Sequence, residues 1–168
     1  MHPLNPEKKA NCYVLTISDT RTLENDESGK VIINFLEKNN HILLGHSLVM
    51  DDPAKLRSAL RELLHIPKIE CLILTGGTGI SPRDITCDTL IKFFKKPLEG
   101  FGEFFRWLSF KEIGPYAILS RAMAGITQNG VLVFALPGSK NAVQMAMDKI
   151  IIPILPHAVD QAKGPNNC

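Results

Sequence analysis

The chain has 168 residues, which is enough for one compact domain with a substantial buried core. Its formal net charge of +2 is too small and too dispersed to indicate binding to nucleic acid or to an anionic membrane. The sequence predicts no apolar run as long as a membrane span, and its polar start does not resemble a signal peptide. Together these features predict a globular protein, and the widely spaced cysteines described next add the expectation that it is cytoplasmic.

The cysteines and histidines lack the spacings that form disulfide frameworks or bind metal ions. The four cysteines lie far apart and include no Cys-x-x-Cys pair, so we expect reduced and mostly buried thiols. The five histidines show no ligand spacing either. A metal ion held by histidine is therefore not expected.

Three short strands alternate with three helices in the first half of the chain. The strands are predicted at 13–17, 42–50 and 70–75, where apolar residues cluster. Helices are predicted over 28–39, from Asp52-Pro53 with Asp52 as the N-cap, and from Thr86 onward. The residues expected to face the core are Leu56, Ala59, Leu60, Leu63 and Leu64 in the second helix, and Leu90, Ile91 and Phe94 in the third.

The second half of the chain adds a helix, a hairpin and a last helix. After Gly100 an amphipathic segment favours core packing over cofactor stacking for its apolar face, which comprises Phe101, Phe104, Phe105 and Leu108. Asn129-Gly130 indicates a two-residue hairpin turn between 116–127 and 131–136. The last helix is expected to end near Pro153, with inward residues Val143, Met147, Ile150 and Ile151.

This alternation predicts a single-domain α/β fold with a mostly parallel sheet, helices on both faces and one antiparallel strand. The domain is assigned to residues 12–161, between a flexible arm at 1–11 and a frayed tail at 162–168. Ligands bind at the carboxyl ends of the strands in such sheets. Four polar loops follow predicted strands and are expected at that rim, namely 18–21, 51–52, 75–84 and 137–140.

The loop at 75–84 is the most informative of the four. Its relevant residues are Thr75, Gly76, Gly77, Thr78, Gly79, Ser81, Arg83 and Asp84. Glycines let backbone N–H groups approach an anion, arginine adds a fixed positive charge, and aspartate can bind a hard metal ion. The spacing matches neither a P-loop nor a dinucleotide-binding fingerprint. These residues predict a phosphate-binding loop of another kind, with an ordinary strand-to-helix turn as the alternative.

Five motifs occur in the order and spacing of one known family. They are Ile17-Ser18-Asp19, Thr75 to Gly79 with Arg83-Asp84, Gly100 to Glu103, Ser120-Arg121 and Pro137-Gly138-Ser139. With these motifs, residues 12–160 of the chain resemble the MoaB/Mog proteins of molybdenum cofactor biosynthesis. The resemblance implies a molybdopterin-binding α/β domain that forms trimers, or hexamers built as dimers of trimers. It also implies adenylyl transfer, in which molybdopterin and Mg-ATP give adenylyl-molybdopterin and pyrophosphate.

The resemblance assigns roles to individual residues. Asp51 and Asp84 match the two catalytic carboxylates of the family and would bind Mg²⁺. The implied substrate-binding residues are Ser18, Asp19, Thr75, Gly76, Gly77, Thr78, Gly79, Ser81, Arg83, Ser120, Arg121, Pro137, Gly138 and Ser139. Asp26 and Gly29 match an Asp-x-x-Gly motif with an implied role on the nucleotide side. Mg²⁺ neutralises the charge that builds when two polyanions meet, and a phosphate nucleophile needs no strong general base.

Structural roles for these residues remain open as well. The two carboxylates could serve only helix entries, and the serine and aspartate after the first strand could form a simple turn. The Pro-Gly-Ser segment could be a structural turn rather than an anion site. Arg121 could bind the phosphate of the pterin or pair with an acidic neighbour.

The chain departs from the family pattern at three positions. Met50 and Cys87 replace frequent prolines, and Thr20 lies where arginine is frequent, with Arg21 displaced by one position. Because both key carboxylates and Arg83 are intact, an active enzyme is favoured. The alternatives are a non-catalytic molybdopterin-binding or carrier protein and, with less support, a nucleotide-binding structural oligomer. The resemblance also implies transfer of the product to a molybdate-insertion protein.

Overall fold

The computed structural model describes residues 8–164. The strands are β1 Asn11–Ile17, β2 Ile42–Val49, β3 Cys71–Thr75, β4 Phe94–Pro97, β5 Met123–Thr127 and β6 Leu132–Leu136. The helices are α1 Glu27–Lys38, α2 Pro53–Leu64, α3 Thr86–Leu90, α4 Glu99–Ile113, α5 Lys140–Ala146 and α6 Ile152–Lys163. Two 3-10 helices, Ile91–Phe93 and Gly114–Leu119, follow α3 and α4, and a π-helical turn, Met147–Ile151, joins α5 to α6.

All six strands form one sheet in the order β2-β1-β3-β6-β5-β4. β1 pairs in parallel with β2 and β3, and β3 pairs in parallel with β6, whereas β5 is antiparallel to both of its neighbours. The predicted mostly parallel sheet with one antiparallel strand is therefore confirmed. From β1 the chain moves outward to β2 and then crosses back to β3, so the strand order reverses beside β1. Open α/β sheets bind ligands at such reversal points.

Apolar side chains cover both faces of the sheet. Buried residues of α1, α4, α5 and α6 pack on one face, and those of α2 and α3 pack on the other. The strands β3 and β6 are buried at every position, which explains why their sequences show apolar runs without alternation. The three cysteines in the described part of the chain are buried and unpaired, as expected.

Side-chain caps fix the start of two helices. Asp52 accepts a hydrogen bond from Lys55 N–H at 2.8 Å, and Pro53 begins α2. Asp26 caps α1 by accepting from Gly29 N–H at 3.0 Å. The four leucines predicted for the inner face of α2 are all buried.

The helix predicted from Thr86 onward is shorter than expected. It ends at Leu90, and the chain then tightens into a 3-10 turn and joins the sheet as β4. Ile91 is consequently 52% exposed rather than buried. Phe94 lies in β4, where its ring packs against Gly125 of β5. Strand pairing with β5 outweighed the local helical pattern.

The aromatic segment in α4 is only partly a core face. Phe101 and Phe105 are buried, as predicted, and Phe101 packs against Phe134 with ring centroids 5.2 Å apart. Phe104 was also predicted to be buried, but it is 44% exposed and stacks on Trp107 at 5.6 Å. The helix therefore presents aromatic side chains to the outside as well as to the core.

The last helix continues past its predicted end near Pro153. Lys140–Lys163 form one 24-residue helix, because Pro153 falls in the first turn of α6, directly after the π-helical turn. By length and composition alone this helix could cross a membrane, since its most apolar 18-residue stretch has a mean hydropathy of 1.2, although charged residues such as Asp148 and Lys149 interrupt it. Its buried residues, including Val143, Ile151 and Leu155, pack in the core on the sheet.

The hairpin between β5 and β6 has a three-residue loop, not the predicted two-residue turn. Thr127 N–H donates to Val131 O at 3.0 Å, and Gly130 N–H donates to Thr127 O at 3.0 Å. Gly130 has a φ of 77°, the conformation that closes such loops with a bulge. The signal for a hairpin was correct, and the turn type was wrong.

The ends of the domain differ slightly from the predicted 12–161. Asn11 begins β1, and Lys163 ends α6. The rest of the predicted arm and tail falls largely at 1–7 and 165–168, outside the described residues.

Candidate active site

Loops from the carboxyl ends of four strands meet at one rim of the sheet, as predicted. The loop after β3 is joined to β6 by Gly76 N–H, which donates to Leu136 O at 2.9 Å. The loops after β1 and β2 are joined by Asp51 N–H, which donates to Asp19 Oδ1 at 3.0 Å. These bonds bring the chemistry-bearing loops together around the carboxyl ends of β1 and β3.

The glycine loop, residues 76–79, has a backbone that only glycine adopts freely. Gly76 and Gly77 have φ values of 108° and 65°. A Cβ on Gly76 would overlap the carbonyl oxygen of Ile17, and one on Gly77 would overlap the hydroxyl of Thr86. Thr86 closes the turn, since its hydroxyl donates to Gly76 O at 2.8 Å and its N–H donates to Gly77 O at 3.0 Å.

Most N–H groups of the glycine loop are not used by the described part of the protein itself. Within residues 8–164, those of Gly77, Thr78 and Gly79 donate to no protein acceptor. The carbonyls of Thr78 and Gly79 instead accept from Arg121, at 2.9 Å from its N–H and 2.7 Å from its Nε. A loop with its carbonyls bound by protein and its amides free is suited to an anion.

Asp51 and Asp19 contact each other across the loops after β1 and β2. Asp19 N–H donates to Asp51 Oδ2 at 3.2 Å, and Arg83 Nη2 donates to Asp19 Oδ2 at 2.5 Å. The bond from Arg83 holds the pKa of Asp19 below its usual value. Burial, together with the negative charge of Asp19, raises the pKa of Asp51. The charged form of Asp51 is thus disfavoured by its surroundings, and a nearby cation would stabilise it.

Asp84 lies at the other end of the glycine loop. Its Oδ2 accepts a hydrogen bond from Ser81 N–H at 2.9 Å, and a Cβ on Gly79 would lie 2.6 Å from the same oxygen. Towards the start of the loop, a Cβ on Gly77 would lie 3.4 Å from Asp51 Oδ1. Both carboxylates therefore contact the same short loop, and both are partly exposed.

The donors at this rim suit a hard cation shared with phosphate. Among residues 8–164, no group of three or more His, Cys, Asp or Glu side chains is arranged to hold a metal ion. Mg²⁺ is usually bound by one or two carboxylates, with water and substrate phosphates completing its shell. Asp51 and Asp84 fit that donor set, because the ion pairs near the loop use Asp19 and Asp88 instead.

Ser120 and Arg121 line a cavity of about 530 Å³ between α4 and β5. Arg106, Glu99 and Glu103 add charged groups to its wall. Its volume falls within the range of sites for small organic ligands. Two of the motif segments that the sequence singled out, at 100–103 and 120–121, thus border one cavity.

Arg121 itself is bound largely by the protein. Its Nη2 donates to Asp84 O at 2.8 Å, and its Nη1 lies 2.9 and 3.0 Å from the carboxylate oxygens of Asp88. With its bonds to the glycine loop, the guanidinium braces the segment from Thr78 to Asp84. Pairing with an acidic neighbour, one of the two alternatives, describes these contacts, and phosphate binding by Arg121 stays a prediction.

The Pro-Gly-Ser segment, residues 137–139, lies against the glycine loop. Thr75 Oγ1 donates to Pro137 O at 2.9 Å, and a Cβ on Gly138 would lie 3.6 Å from Gly76 Cα. Ser139 precedes α5 and makes no side-chain cap bond. The first turn of this long helix therefore begins directly after the segment that contacts the glycine loop and has no side-chain cap, and N–H groups at such a helix start can bind an anion.

Asp26 and Gly29 are buried behind the rim. The Asp26 carboxylate accepts hydrogen bonds from Thr16 Oγ1 at 2.5 Å and Ser28 Oγ at 3.1 Å, and His46 Nε2 lies 3.0 Å away. A Cβ on Gly29 would overlap this carboxylate. In the Asp-x-x-Gly motif, the aspartate thus caps α1, and the glycine lets the helix backbone lie against its carboxylate. Because both residues are buried, the direct nucleotide contact implied for them is disfavoured.

The predicted residue set omitted side chains that shape the rim. Ser18 Oγ accepts the N–H groups of Thr20 and Arg21 at 3.2 Å each, which is the simple turn left open above. Arg21, noted in the sequence only as a displaced arginine, and Thr86 both hold the loops in place. Their nearness to Ser18 and to Asp84 in sequence was the available signal, but the bond of Arg21 to Gly138 joins residues far apart in the chain.

Comparison with known proteins identifies the family. A family model described as "Probable molybdopterin binding domain" matches residues 13–157. Molybdenum cofactor biosynthesis protein B of Bacillus subtilis (strain 168) is 44% identical over 153 residues, covering 90% of this chain and 89% of the relative.

Solved structures agree with the sequence relatives. A crystal structure of molybdenum cofactor biosynthesis protein B matches with a TM-score of 0.88 at 38% identity, over 92% of this chain and 96% of that one. The tungsten cofactor synthesizing protein MoaB from Pyrococcus furiosus matches with a TM-score of 0.84 at 36% identity, over 94% and 99% of the two chains. The chain therefore belongs to the MoaB/Mog family of molybdenum cofactor biosynthesis proteins.

Proposed function

We propose that this protein transfers the adenylyl group of ATP to molybdopterin and releases pyrophosphate, as a step in molybdenum cofactor biosynthesis. The relatives carry the name of that pathway, and the matching domain is described as binding molybdopterin. One observation carries the chemical part of the proposal. Asp51 and Asp84 contact opposite ends of a glycine loop whose N–H groups are free.

The proposed reaction joins two anions. The terminal phosphate of molybdopterin attacks the α-phosphorus of ATP, and the bond from that phosphorus to the bridging oxygen of pyrophosphate breaks. No proton has to be removed, because the nucleophile is already an anion. Mg²⁺ held by Asp51 and Asp84 would neutralise charge on the phosphates, and the loop amides would bind phosphate oxygens.

The surroundings of the loop suggest where the two substrates bind. The cavity beside Ser120 has the size for a pterin, and it borders the segment that Arg121 braces. On the other side of the loop, the free N–H groups at the start of α5 suit the phosphates of ATP. Arg83 is 72% exposed, so its guanidinium can turn from Asp19 to a phosphate oxygen.

The test is an assay of purified protein with molybdopterin, ATP and Mg²⁺. Wild type should release pyrophosphate in the same amount as adenylylated pterin. Asp84→Asn should lower kcat by about 10²–10³-fold while leaving pterin binding intact, because the carboxylate acts on the charge of the transition state. The matched control is Asp148→Asn, an exposed aspartate in the π-helical turn, which should not change the rate.

A non-catalytic molybdopterin carrier is the competing hypothesis, and calorimetry separates the two. A carrier would bind molybdopterin but would show no Mg²⁺-dependent affinity for ATP. Well-folded wild type that forms no adenylylated pterin would remove the enzymatic proposal, and such a protein would then be assigned as a carrier.

We also propose that the protein self-associates as a trimer or hexamer. Exposed apolar side chains are numerous on α4 and the 3-10 helix after it, namely Phe104, Trp107, Phe110, Ile113, Tyr116 and Ile118. Such patches on a small domain mark interaction surfaces. Light scattering at micromolar concentration should give a multiple of the subunit mass, and Trp107→Glu should reduce it. A single-subunit mass for wild type would contradict this proposal.

The cellular context is proposed in the same way. The protein would work in the cytoplasm and pass adenylyl-molybdopterin to a molybdate-insertion protein. Co-purification of the loaded protein with such an enzyme would support the transfer step, and free release of the product before insertion would argue against it.

A further inference from the structure

Arg21 lies between the loops that follow β1 and β6. Its Nη2 donates to Gly138 O at 2.8 Å, and its Nη1 donates to Asp26 Oδ1 at 3.2 Å and to Ser28 Oγ. Its own N–H donates to Ser18 Oγ at 3.2 Å. The guanidinium is thus held by the start of α1 and the Pro-Gly-Ser segment, while the backbone of Arg21 is held by the turn after β1.

This guanidinium retains unused donors. A guanidinium has five N–H donors, and the contacts with Asp26, Ser28 and Gly138 use three of them. In the part of the chain that the structure describes, Nε–H and the second Nη2–H meet no protein acceptor. The side chain is 31% exposed, so solvent or a ligand can reach it. Arg21 is therefore a fixed cation with donors to spare.

The other positively charged side chains at the rim bond to different kinds of protein groups. Arg121 binds loop carbonyls and Asp88 with all three of its nitrogens. Arg83 and Lys140 pair with the exposed or half-exposed carboxylates of Asp19 and Glu27, which would compete with a bound anion. The carboxylate that holds Arg21 is instead fully buried and lies behind it.

Arg21 lies close to two parts of the rim that can bind an anion, namely the segment before α5 and the glycine loop. A Cβ on Gly138 would lie 3.5 Å from Arg21 Nη2 and 3.6 Å from Gly76 Cα. Gly138, in the segment before α5, therefore lies beside both the guanidinium and the first glycine of the loop. An anion bound by the loop amides and the start of α5 would lie beside the unused donors.

We propose that Arg21 binds the polyphosphate of the nucleotide and that Asp26 is its positioning residue. This inference rests on the proposed function, and it assigns to the adenylyl donor a residue outside the predicted set. Burial pushes the pKa of Asp26 upward, but hydrogen bonds from Thr16, Gly29 and Ser28 outweigh that effect and bring it below its usual value. The carboxylate therefore stays charged and keeps the guanidinium in one orientation.

The experiment measures binding of ATP and of inorganic pyrophosphate by calorimetry, without pterin. Arg21→Gln should weaken both ligands by about tenfold or more, because charge-assisted hydrogen bonds are lost. Arg21→Lys should recover only part of the affinity, since an ammonium lacks the planar fork. Arg61→Gln, the same change at an exposed position near the end of α2, is the matched control and should bind both ligands like wild type.

The positioning role of Asp26 is tested by a double-mutant cycle. Asp26→Asn should weaken ATP binding, and the double variant with Arg21→Gln should bind no more weakly than Arg21→Gln alone. A purely structural role would give independent, multiplying losses and would overturn this part of the inference. Should Asp26→Asn fail to fold, Ser28→Ala removes one contact of the guanidinium and should give a smaller loss in the same cycle.

The outcomes separate this inference from the proposed reaction. Unchanged affinity for ATP and pyrophosphate in folded Arg21→Gln overturns the inference, whether or not the protein adenylylates pterin. Wild type that binds neither ligand overturns it as well. Arg21-dependent binding by a protein that forms no adenylylated pterin supports the inference and removes the proposed reaction.

Discussion

Two aspartates near the same rim have opposite surroundings. Asp26 is fully buried, yet its carboxylate accepts hydrogen bonds on both oxygens, and its pKa lies below the usual value because those bonds outweigh the cost of burial. Asp51 is partly exposed, but burial and the charge of Asp19 raise its pKa. The protein supplies the hydrogen bonds that keep the Asp26 carboxylate charged. The surroundings of Asp51 disfavour its charged form, and a bound cation would stabilise it.

The same contrast extends to the backbone around each residue. Asp26 caps α1, and the contacts around it involve local and neighbouring groups that stabilise the fold. Asp51 lies beside a loop with positive-φ glycines, whose N–H groups at Gly77, Thr78 and Gly79 bond to no acceptor within residues 8–164. Regions whose polar groups are incompletely satisfied are where ligand binding is expected.

The largest effect is expected at Asp51, where a substitution should lower activity without lowering stability. Asp51→Asn should lower kcat by about 10²–10³-fold, because one of two carboxylates that would hold Mg²⁺ is lost. Its melting temperature at neutral pH should equal or exceed that of wild type. The folded-state pKa of Asp51 is raised, so this group stabilises the fold at low pH and ceases to do so as pH rises through that value. Assay and calorimetry of one preparation check both, and a clear drop in stability would contradict the contrast with Asp26.

The glycine loop should be intolerant of a side chain at its first position. Gly76→Ala should cost about 3 kcal/mol or more, since a Cβ there meets the backbone of Ile17 and the φ of 108° disfavours alanine. Gly100→Ala is the matched control, because no atom lies within 4 Å of the added Cβ. Within α4 it should change stability by less than about 1 kcal/mol, and in the favourable direction. Urea unfolding measures both, and equal effects would disprove the assigned strain.

Asp26→Asn should destabilise the fold by about 1–3 kcal/mol at neutral pH, since a buried acceptor of several hydrogen bonds is altered. The sign of the pH dependence follows from the lowered pKa. The charged form contributes stability above the unfolded-state pKa of about 4, and that contribution is lost as pH falls through the folded-state value. Unfolding curves of wild type and variant should therefore converge in acid. A difference that persists undiminished in acid would show that the charge is unimportant.

The smallest effect is expected at Glu70, a carboxylate at the opposite end of the sheet. Burial raises its pKa, but bonds from Lys163 and from Asn11 N–H outweigh this and lower it. Lys163 is 40% exposed, so solvent weakens the pair, and Glu70→Gln should cost about 1 kcal/mol or less. Unfolding at neutral pH checks this value, and a cost as large as that of Asp26→Asn would remove the distinction between the two networks.

Patterns within short stretches of sequence predicted much of this molecule. The mostly parallel sheet and its helices were predicted from the apolar runs of β3 and β6 and from the leucine face of α2. Such patterns are readable in the sequence because buried positions recur at the period of a strand or a helix. The polar loops that follow the strands predicted where the candidate site lies, since the carboxyl ends of parallel strands meet at one edge of the sheet. The glycines of the loop indicated an unusual backbone, and Gly76 and Gly77 have it.

Other features depended on partners far away in the chain. The strand at 94–97 forms because β5 is available to pair with it, and the last helix passes Pro153 because a π-helical turn precedes it. Arg21 bonds to Gly138, 117 positions away, and its neighbour Asp26 is turned inward to Thr16 and His46.

The sequence by itself therefore determined the fold class, the rim and the family. Only the tertiary structure decided which arginine is held in place with donors to spare and which aspartate is buried and satisfied. The physical reason is that hydrophobic periodicity is a property of neighbours in sequence, whereas the protonation and orientation of a side chain depend on every group packed around it.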